Sequence, residues 1–316
     1  MSLIAKPEEF LYVEKYRPSK IDDCILPERM KQTLKDIVKQ GEIPNMLLSG
    51  GAGTGKTTAA FALCNELDAD VLFINASMES GIDVLRSKIQ SFASTVSFGG
   101  GTKVVILDEA DGLNANSFQP ALRGFIETFS ANCRFILTCN FPQKLIEPIH
   151  SRCTSLNFTI EKSEKQELAA KFFKRACGIL AEEKIEYDPK VVAEVITKFF
   201  PDYRRVLNEL QRYSVSGKID SGILSNFNDD SYKALIGYIK EKNFTEVRKW
   251  VGMNDVDCVE LFRHFYDYSS TLVEPNSVPQ LILIMADYSY KSAFVADQEL
   301  NIMAALTEIM SSVAFR

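Results

Sequence analysis

Between residues 45 and 159 the chain alternates short apolar runs with stretches in which apolar residues return every three or four positions. The runs NMLLS (45–49), DVLFIN (70–75), KVVIL (103–107), RFILTC (134–139) and SLNFT (155–159) are rich in Val, Ile, Leu and Phe and do not alternate with polar residues. Strands buried on both faces read this way, so the pattern predicts a parallel sheet covered by helices. Between the runs, Ile82, Leu85, Ile89, Phe92 and Val96 share one helical spacing, and Phe118, Leu122, Phe125 and Phe129 share another. Pro120 is compatible with the second helix only in its first turn, where a missing N–H costs nothing.

After about residue 160 the strand signal disappears. EKQELAAKFFKRACGIL (164–180) and DPKVVAEVITKFFPDYRRVLNELQRY (188–213) have helical periodicity, and SVSGKIDSG (214–222) is a turn-rich break. A further helical stretch runs from about 230 to the end. In LNIMAALTEIMSSVAF, residues Ile302, Leu306, Ile309, Met310 and Val313 fall on one side. The expected organisation is an α/β domain over 1–160, a small helical lid over 161–228 and a C-terminal helical domain over 229–316. Trp250, Phe262, Phe265 and Tyr266 offer more apolar surface than a small helical unit readily buries alone. A neighbouring copy covering the remainder would make this last domain a collar.

A length of 316 residues fits about two to three such domains. Hydrophobic residues make up 46% and charged residues 25%, as in ordinary globular proteins, and the net charge is −6. That sign argues against coating of nucleic acid by the whole surface but leaves room for a local basic face. The opening MSLIAKPEEF has no apolar core of signal-peptide length, and VPQLILIMA is far too short to cross a bilayer. The seven cysteines form no CxxC pair, and His150 and His264 lie in no metal- or triad-like arrangement. A reducing cytoplasm, with no membrane partner, is the expected setting.

GGAGTGKT (50–57) fits G-x-x-x-x-G-K-[ST], with Gly50, Gly55, Lys56 and Thr57 in the defining positions. An apolar strand precedes it and a helical run, TTAAFALCNEL, follows. Glycines let successive N–H groups turn toward phosphates, and the helix N-terminus adds partial positive charge. Lys56 is expected to reach the β- and γ-phosphates, and the Thr57 hydroxyl to ligate Mg²⁺. The run KVVILDEAD ends a buried strand on Asp108, placed to hold Mg²⁺ through water, with Glu109 placed to polarise the attacking water. The tetrapeptide DEAD also occurs in helicases, but those need a second motor domain, and the second half of this chain is helical.

Further along, RFILTCN ends a strand on Asn140, HSRCTSLNF follows, YVEKYRP stands near the N-terminus and PDYRRVLNEL lies in the lid. With KYRP…CILP, GTGKTT, SRC and FPDYR, this set resembles the sliding-clamp-loader subunits of the AAA+ ATPases. The resemblance covers replication factor C small subunits and, more closely, the large ATPase subunit of tailed-bacteriophage loaders, over essentially the whole chain. It implies that Asn140 is a sensor orienting water and reading the γ-phosphate. It likewise implies that Arg152 is an arginine finger reaching a neighbouring subunit's ATP, and that Arg204 is a lid arginine on the nucleotide of its own subunit. Arg204 and Arg205 are about 100° apart on a helix, so only one can face the nucleotide, and motif position assigns Arg204. Val13, Glu14, Lys15, Tyr16 and Ile25 match the segment bordering adenine and ribose; Gly53, Thr54, Gly55 and Thr58 complete the loop's contacts.

The same resemblance implies ATP and Mg²⁺ as cofactors and, as partners, copies of the chain, a non-identical small loader subunit, a ring-shaped sliding clamp and primer–template DNA. The segment GIDVLRSKIQ matches a DNA-facing helix with Gly81, Ile82, Arg86 and Lys88 as candidates, although a solvated face would show the same spacing. FASTVSFGG matches a clamp-contacting region, with Val96 and Phe98 either exposed anchors or core. Two departures stand out. The loop reads GGAG where many relatives have proline, and the zinc-binding cysteines of bacterial cellular relatives are absent. Another AAA+ replication remodeller, or a non-catalytic scaffold subunit, is the alternative expectation.

Overall fold

The computed structural model describes residues 10–78, 82–95, 101–215, 217–219, 229–254 and 258–316. Two compact units divide the chain, Met1–Ile223 and Leu224–Arg316.

In the first unit the five apolar runs form β1 (Met46–Ser49), β2 (Asp70–Asn75), β3 (Lys103–Asp108), β4 (Cys133–Cys139) and β5 (Thr154–Asn157), paired in parallel in the order β2-β3-β4-β1-β5. Alternate residues of the central strands enter two separate cores. Leu47, Val105, Leu107, Phe135 and Leu137 pack on one face, where α4 (Ile82–Ser94) and α5 (Phe118–Thr128) lie. Met46, Leu48, Val104, Ile106 and Ile136 pack on the other, against α2 (Glu28–Gln40) and α3 (Lys56–Glu66). The expectation of strands buried on both faces holds for β1, β3 and β4 and fails for β2 and β5, most of whose residues are exposed or half-buried. Both are sheet edges, with a paired neighbour on one side only. In α5 the buried stripe is Phe118, Leu122 and Ile126, with Phe125 and Phe129 partly buried, and Pro120 sits in the first turn.

A short α1 (Tyr12–Lys15) precedes this sheet, and α6 (Glu147–His150) links β4 to β5. Beyond it come α7 (Lys162–Glu182), α8 (Pro189–Phe199) and α9 (Tyr203–Ser214). Helix α7 opens with a capping box between Glu161 and Glu164, and Asp188 and Asp202 cap α8 and α9 by accepting backbone N–H bonds. Strand pairing does not end at residue 160, as expected from the periodicity. Two-residue strands β6 (Glu186–Tyr187) and β7 (Lys218–Ile219) pair in parallel, the second inside the turn-rich break. A two-residue ladder leaves no periodic signal to read.

The second unit holds α10 (Asp229–Lys240), α11 (Phe244–Met253), α12 (Cys258–Leu272), α13 (Val278–Ser292) and α14 (Gln298–Ser312) around one apolar core. Trp250, Phe262 and Phe265 are buried inside this unit and need no neighbour, so of the four only exposed Tyr266 is the remainder left for a neighbour to cover. Five helices enclose more volume than the small bundle that the expectation assumed. Among the described residues no helix is long and apolar enough to cross a membrane.

Burial pushes the thiols of Cys24 and Cys64 up to about 12 and those of Cys133, Cys139 and Cys153 up to about 11. Thiolate is the reactive form, so these five should resist alkylation near neutral pH. Half-buried Cys177 is expected to be modified ahead of all five when the native protein meets iodoacetamide, as read by peptide mass spectrometry. Equal labelling of all six would show that the first unit opens on the labelling timescale.

Candidate active site

Strands β1, β3 and β4 are neighbours, and their C-terminal ends deliver the three segments singled out by sequence to one edge of the sheet. Ligands of open α/β sheets bind at this edge. The Gly50 N–H donates to the Cys139 carbonyl at 3.2 Å, which ties the glycine loop to the end of β4. At Gly53, with φ +66°, a Cβ would stand 1.7 Å from Asp202 Oδ1, and its carbonyl accepts the Tyr203 N–H at 3.1 Å. Only glycine lets the start of α9 come this close to the loop.

Lys56 opens α3 and is nearly buried. Its ammonium donates to the carbonyls of Gly50 (2.8 Å) and Gly51 (2.6 Å) and to Asn140 Oδ1 (2.8 Å). Burial lowers its pKa, and the charge of Arg204 acts in the same direction. The ammonium is thus desolvated and held among neutral oxygens, which favours an incoming anion. Thr57 Oγ1 donates to Asp108 Oδ1 at 2.6 Å. A hydroxyl beside a carboxylate is a hard oxygen set that fits Mg²⁺. Glu109 follows in the left-handed region (φ 56°, ψ 42°) with its side chain at the exposed end of β3.

A cleft beside the loop is lined by Val13, Tyr16, Ile25, Gly53, Thr54, Gly55, Lys56, Thr57, Thr58 and Arg204. The Tyr16 phenol donates to Glu183 at 2.6 Å, and burial followed by that carboxylate pushes its pKa up. Glu14 and Lys15, expected with Val13 and Tyr16, do not line the cleft; Glu14 pairs with Arg17 and Lys15 with Glu183. Val13 and Tyr16, three residues apart, share one face of this turn, and Glu14 and Lys15 fall off that face. Arg204 lines the cleft, whereas the Arg205 guanidinium lies over the Phe199 ring, 4.5 Å from its centroid.

Arg152 is not on that cleft. Its guanidinium pairs with Glu127 through Nε at 2.8 Å and through Nη2, and Nη1 donates to the Pro148 carbonyl at 2.8 Å. Arg86 and Lys88 lie on α4 two positions apart, hence about 200° around the helix, so they point to different sides. Ile82 begins that helix; Gly81, Val96 and Phe98 lie outside the described residues.

Several residues went unremarked in the sequence. Phe172, Arg175 and Ile179 of α7 and Tyr203 and Leu207 of α9 form part of the cleft wall, with Arg17 and Leu26 among the N-terminal residues that also line it. Asp111 accepts the N–H groups of Asn140 (3.3 Å) and Phe141 (3.1 Å). Fully buried Gln119 donates to the carbonyls of Leu113 (2.9 Å) and Lys144 (3.1 Å) and accepts from Ile146 N (2.8 Å), joining the segments that follow β3 and β4. The one sequence signal for Gln119 was a polar residue beside the apolar stripe of α5.

Residues 46–160 match the ATPase family associated with various cellular activities (AAA), and residues 164–225 match the sliding-clamp-loader large subunit, AAA+ ATPase lid domain. The sliding-clamp-loader large subunit of Enterobacteria phage T4 is 35% identical over 300 residues, covering 93% of this chain and 94% of that protein. The replication factor C small subunit of Sulfurisphaera tokodaii is 35% identical over 323 residues, 96% of this chain and 95% of its own length. Among solved structures, the Thermotoga maritima RuvB Holliday junction branch migration motor aligns with a TM-score of 0.54 at 18% identity, covering 75% of this chain and 85% of that one. At that identity the likeness speaks for the fold alone.

Proposed function

The chain belongs to the sliding-clamp-loader family of AAA+ ATPases, and on that premise we propose that it is an ATPase subunit that opens a ring-shaped clamp and places it on primer–template DNA during replication. The observation that carries this reading is the split between two sets of groups. Lys56, Thr57, Asp108 and Asn140 meet at one phosphate loop, while Arg152 stands away from the cleft with only its own domain's oxygens for partners. An arginine that lies off the cleft of its own chain suits an assembly in which it serves a second copy.

In this reading Lys56 neutralises phosphate charge, Asn140 reads the γ-phosphate and Arg204 closes the lid over the nucleotide. Val13, Tyr16, Ile25 and the lid aromatic Tyr203 flank the base and ribose. Thr57 and Asp108 would hold Mg²⁺, which neutralises charge on the β- and γ-phosphates when bound. Glu109 orients and polarises the attacking water. Turnover then depends on the neighbour's position, so hydrolysis reports assembly around DNA and clamp. The inferred assembly contains further copies and a non-identical small subunit, with 229–316 as its collar and 161–228 as the lid; of Arg86 and Lys88, which point to different sides of α4, one is a candidate for DNA contact on the inner side.

Steady-state ATPase measured alone, with primed DNA, with a cognate clamp and with both should rise most with both present. Turnover indifferent to the clamp would favour another AAA+ remodeller, and no turnover under any condition would favour a scaffold subunit.

A further inference from the structure

Thr138 lies on β4 two residues before Asn140 and is 1% exposed, the most deeply buried hydroxyl beside the site. Register explains where it points. Leu107 and Leu137 are aligned across the parallel β3–β4 pair, so the residues that follow, Asp108 and Thr138, leave the ladder side by side. Thr138 Oγ1 donates to Asp108 Oδ1 at 2.5 Å and accepts the Glu109 N–H at 3.2 Å. The directions are fixed by chemistry, since a carboxylate only accepts and a backbone N–H only donates. A β-branched side chain is stiff at χ1, so both bonds are aimed by one rotamer.

We propose that Thr138 is a positioning residue for hydrolysis, a single hydroxyl that orients the Asp108 carboxylate and holds the backbone turn that aims Glu109. The proposal rests on the reading in which those two acids serve metal binding and water activation. Glu109 adopts the left-handed region without being glycine, a conformation that persists only when its surroundings impose it. Its N–H bond to Thr138 is one restraint on that turn, and the Gly112 N–H, which donates to the Glu109 carbonyl at 2.9 Å, is another. Asp108 Oδ1 is otherwise held by Thr57, whose hydroxyl is itself a candidate ligand for the ion. Were Thr57 to hold a metal ion instead, Thr138 would still fix the carboxylate.

The test compares Thr138→Val, which keeps the shape and removes the hydroxyl, with Thr138→Ser, which keeps the hydroxyl. In the assembled loader with DNA and clamp, Thr138→Val is expected to lower kcat at least about tenfold, as loss of a well-placed general base does in part. KM for ATP should rise no further than the Mg²⁺-dependent part of nucleotide affinity falls, with the larger loss in kcat. The gain in nucleotide affinity on adding Mg²⁺ over EDTA, measured by equilibrium binding, should shrink in Thr138→Val, and Thr138→Ser should recover both properties. Wild-type kcat in Thr138→Val, or equal loss in Thr138→Ser, would overturn the inference; should Thr138→Val fail to fold, Thr138→Ala is read in its place. Glu109→Gln is assayed in parallel. If it turns over at the wild-type rate, the underlying reading of Glu109 fails; if it is dead while Thr138→Val is fully active, only the role of Thr138 fails.

Discussion

Arg152→Ala is expected to leave ATP binding intact while abolishing hydrolysis stimulated by clamp and DNA. The side chain is held by Glu127 and the Pro148 carbonyl and does not line the nucleotide cleft of its own chain, so its removal takes no group from that cleft. Exposed ion pairs such as Arg152–Glu127 contribute about 0–1 kcal/mol, and the variant should fold normally. An arginine finger in phosphate-loop enzymes is worth about 10³–10⁵ in turnover, far above any loss through stability. Action in trans carries a second expected result. Assemblies mixed from Arg152→Ala and Lys56→Ala chains, each inactive alone, should regain partial activity, because some interfaces then join an intact loop to an intact finger. No recovery at any mixing ratio, with assembly confirmed by sedimentation velocity, would mean that Arg152 acts in cis or only through Glu127.

Glu109→Gln should separate binding from chemistry. Glutamine keeps the size of the side chain and the left-handed backbone that Glu109 already adopts, but it has no charge with which to polarise water. Since the carboxylate is exposed and lies off the cleft lining, ATP affinity should stay within a few-fold of wild type. Turnover should fall by about 10²–10⁴, the usual contribution of a positioned general base. The complex should then accumulate on clamp and DNA with ATP unhydrolysed, visible as slow dissociation in a binding assay. A variant with wild-type steady-state turnover would remove Glu109 from the water-activating role.

Glu109 also shows how far the sequence could be read. Its place after an apolar run, one residue beyond Asp108, is local information and was legible, as were the glycine loop and its lysine. Local spacing similarly marked all five strands of the sheet. Short, unbroken apolar runs are what a covered parallel sheet requires of its sequence. What local spacing could not do was order them. DVLFIN and SLNFT look like interior strands but lie at the edges, because edge position depends on which strands pair across the whole chain. The two-residue pair β6–β7 is held by contacts some 30 residues apart and leaves no periodic trace.

The site divides along the same line. Lys56, Thr57, Asp108, Glu109 and Asn140 were identifiable because each sits at a fixed offset from a strand end. The sequence alone therefore determined that this protein holds a phosphate loop with two acids and a strand-end asparagine at one sheet edge; a sensor role for Asn140 is what the family resemblance implies. Which side chains complete that edge was decided by tertiary structure. Glu14 and Lys15 turn to ion pairs while Val13 and Tyr16 line the cleft, and Tyr203 reaches it from a helix about 150 residues beyond the loop. Thr138 was read as one more residue of an apolar strand, and it became a polar hub only when parallel register set it against Asp108. A buried hydroxyl takes its role from the donors and acceptors that folding places within about 3 Å of it, and chain order does not encode that distance.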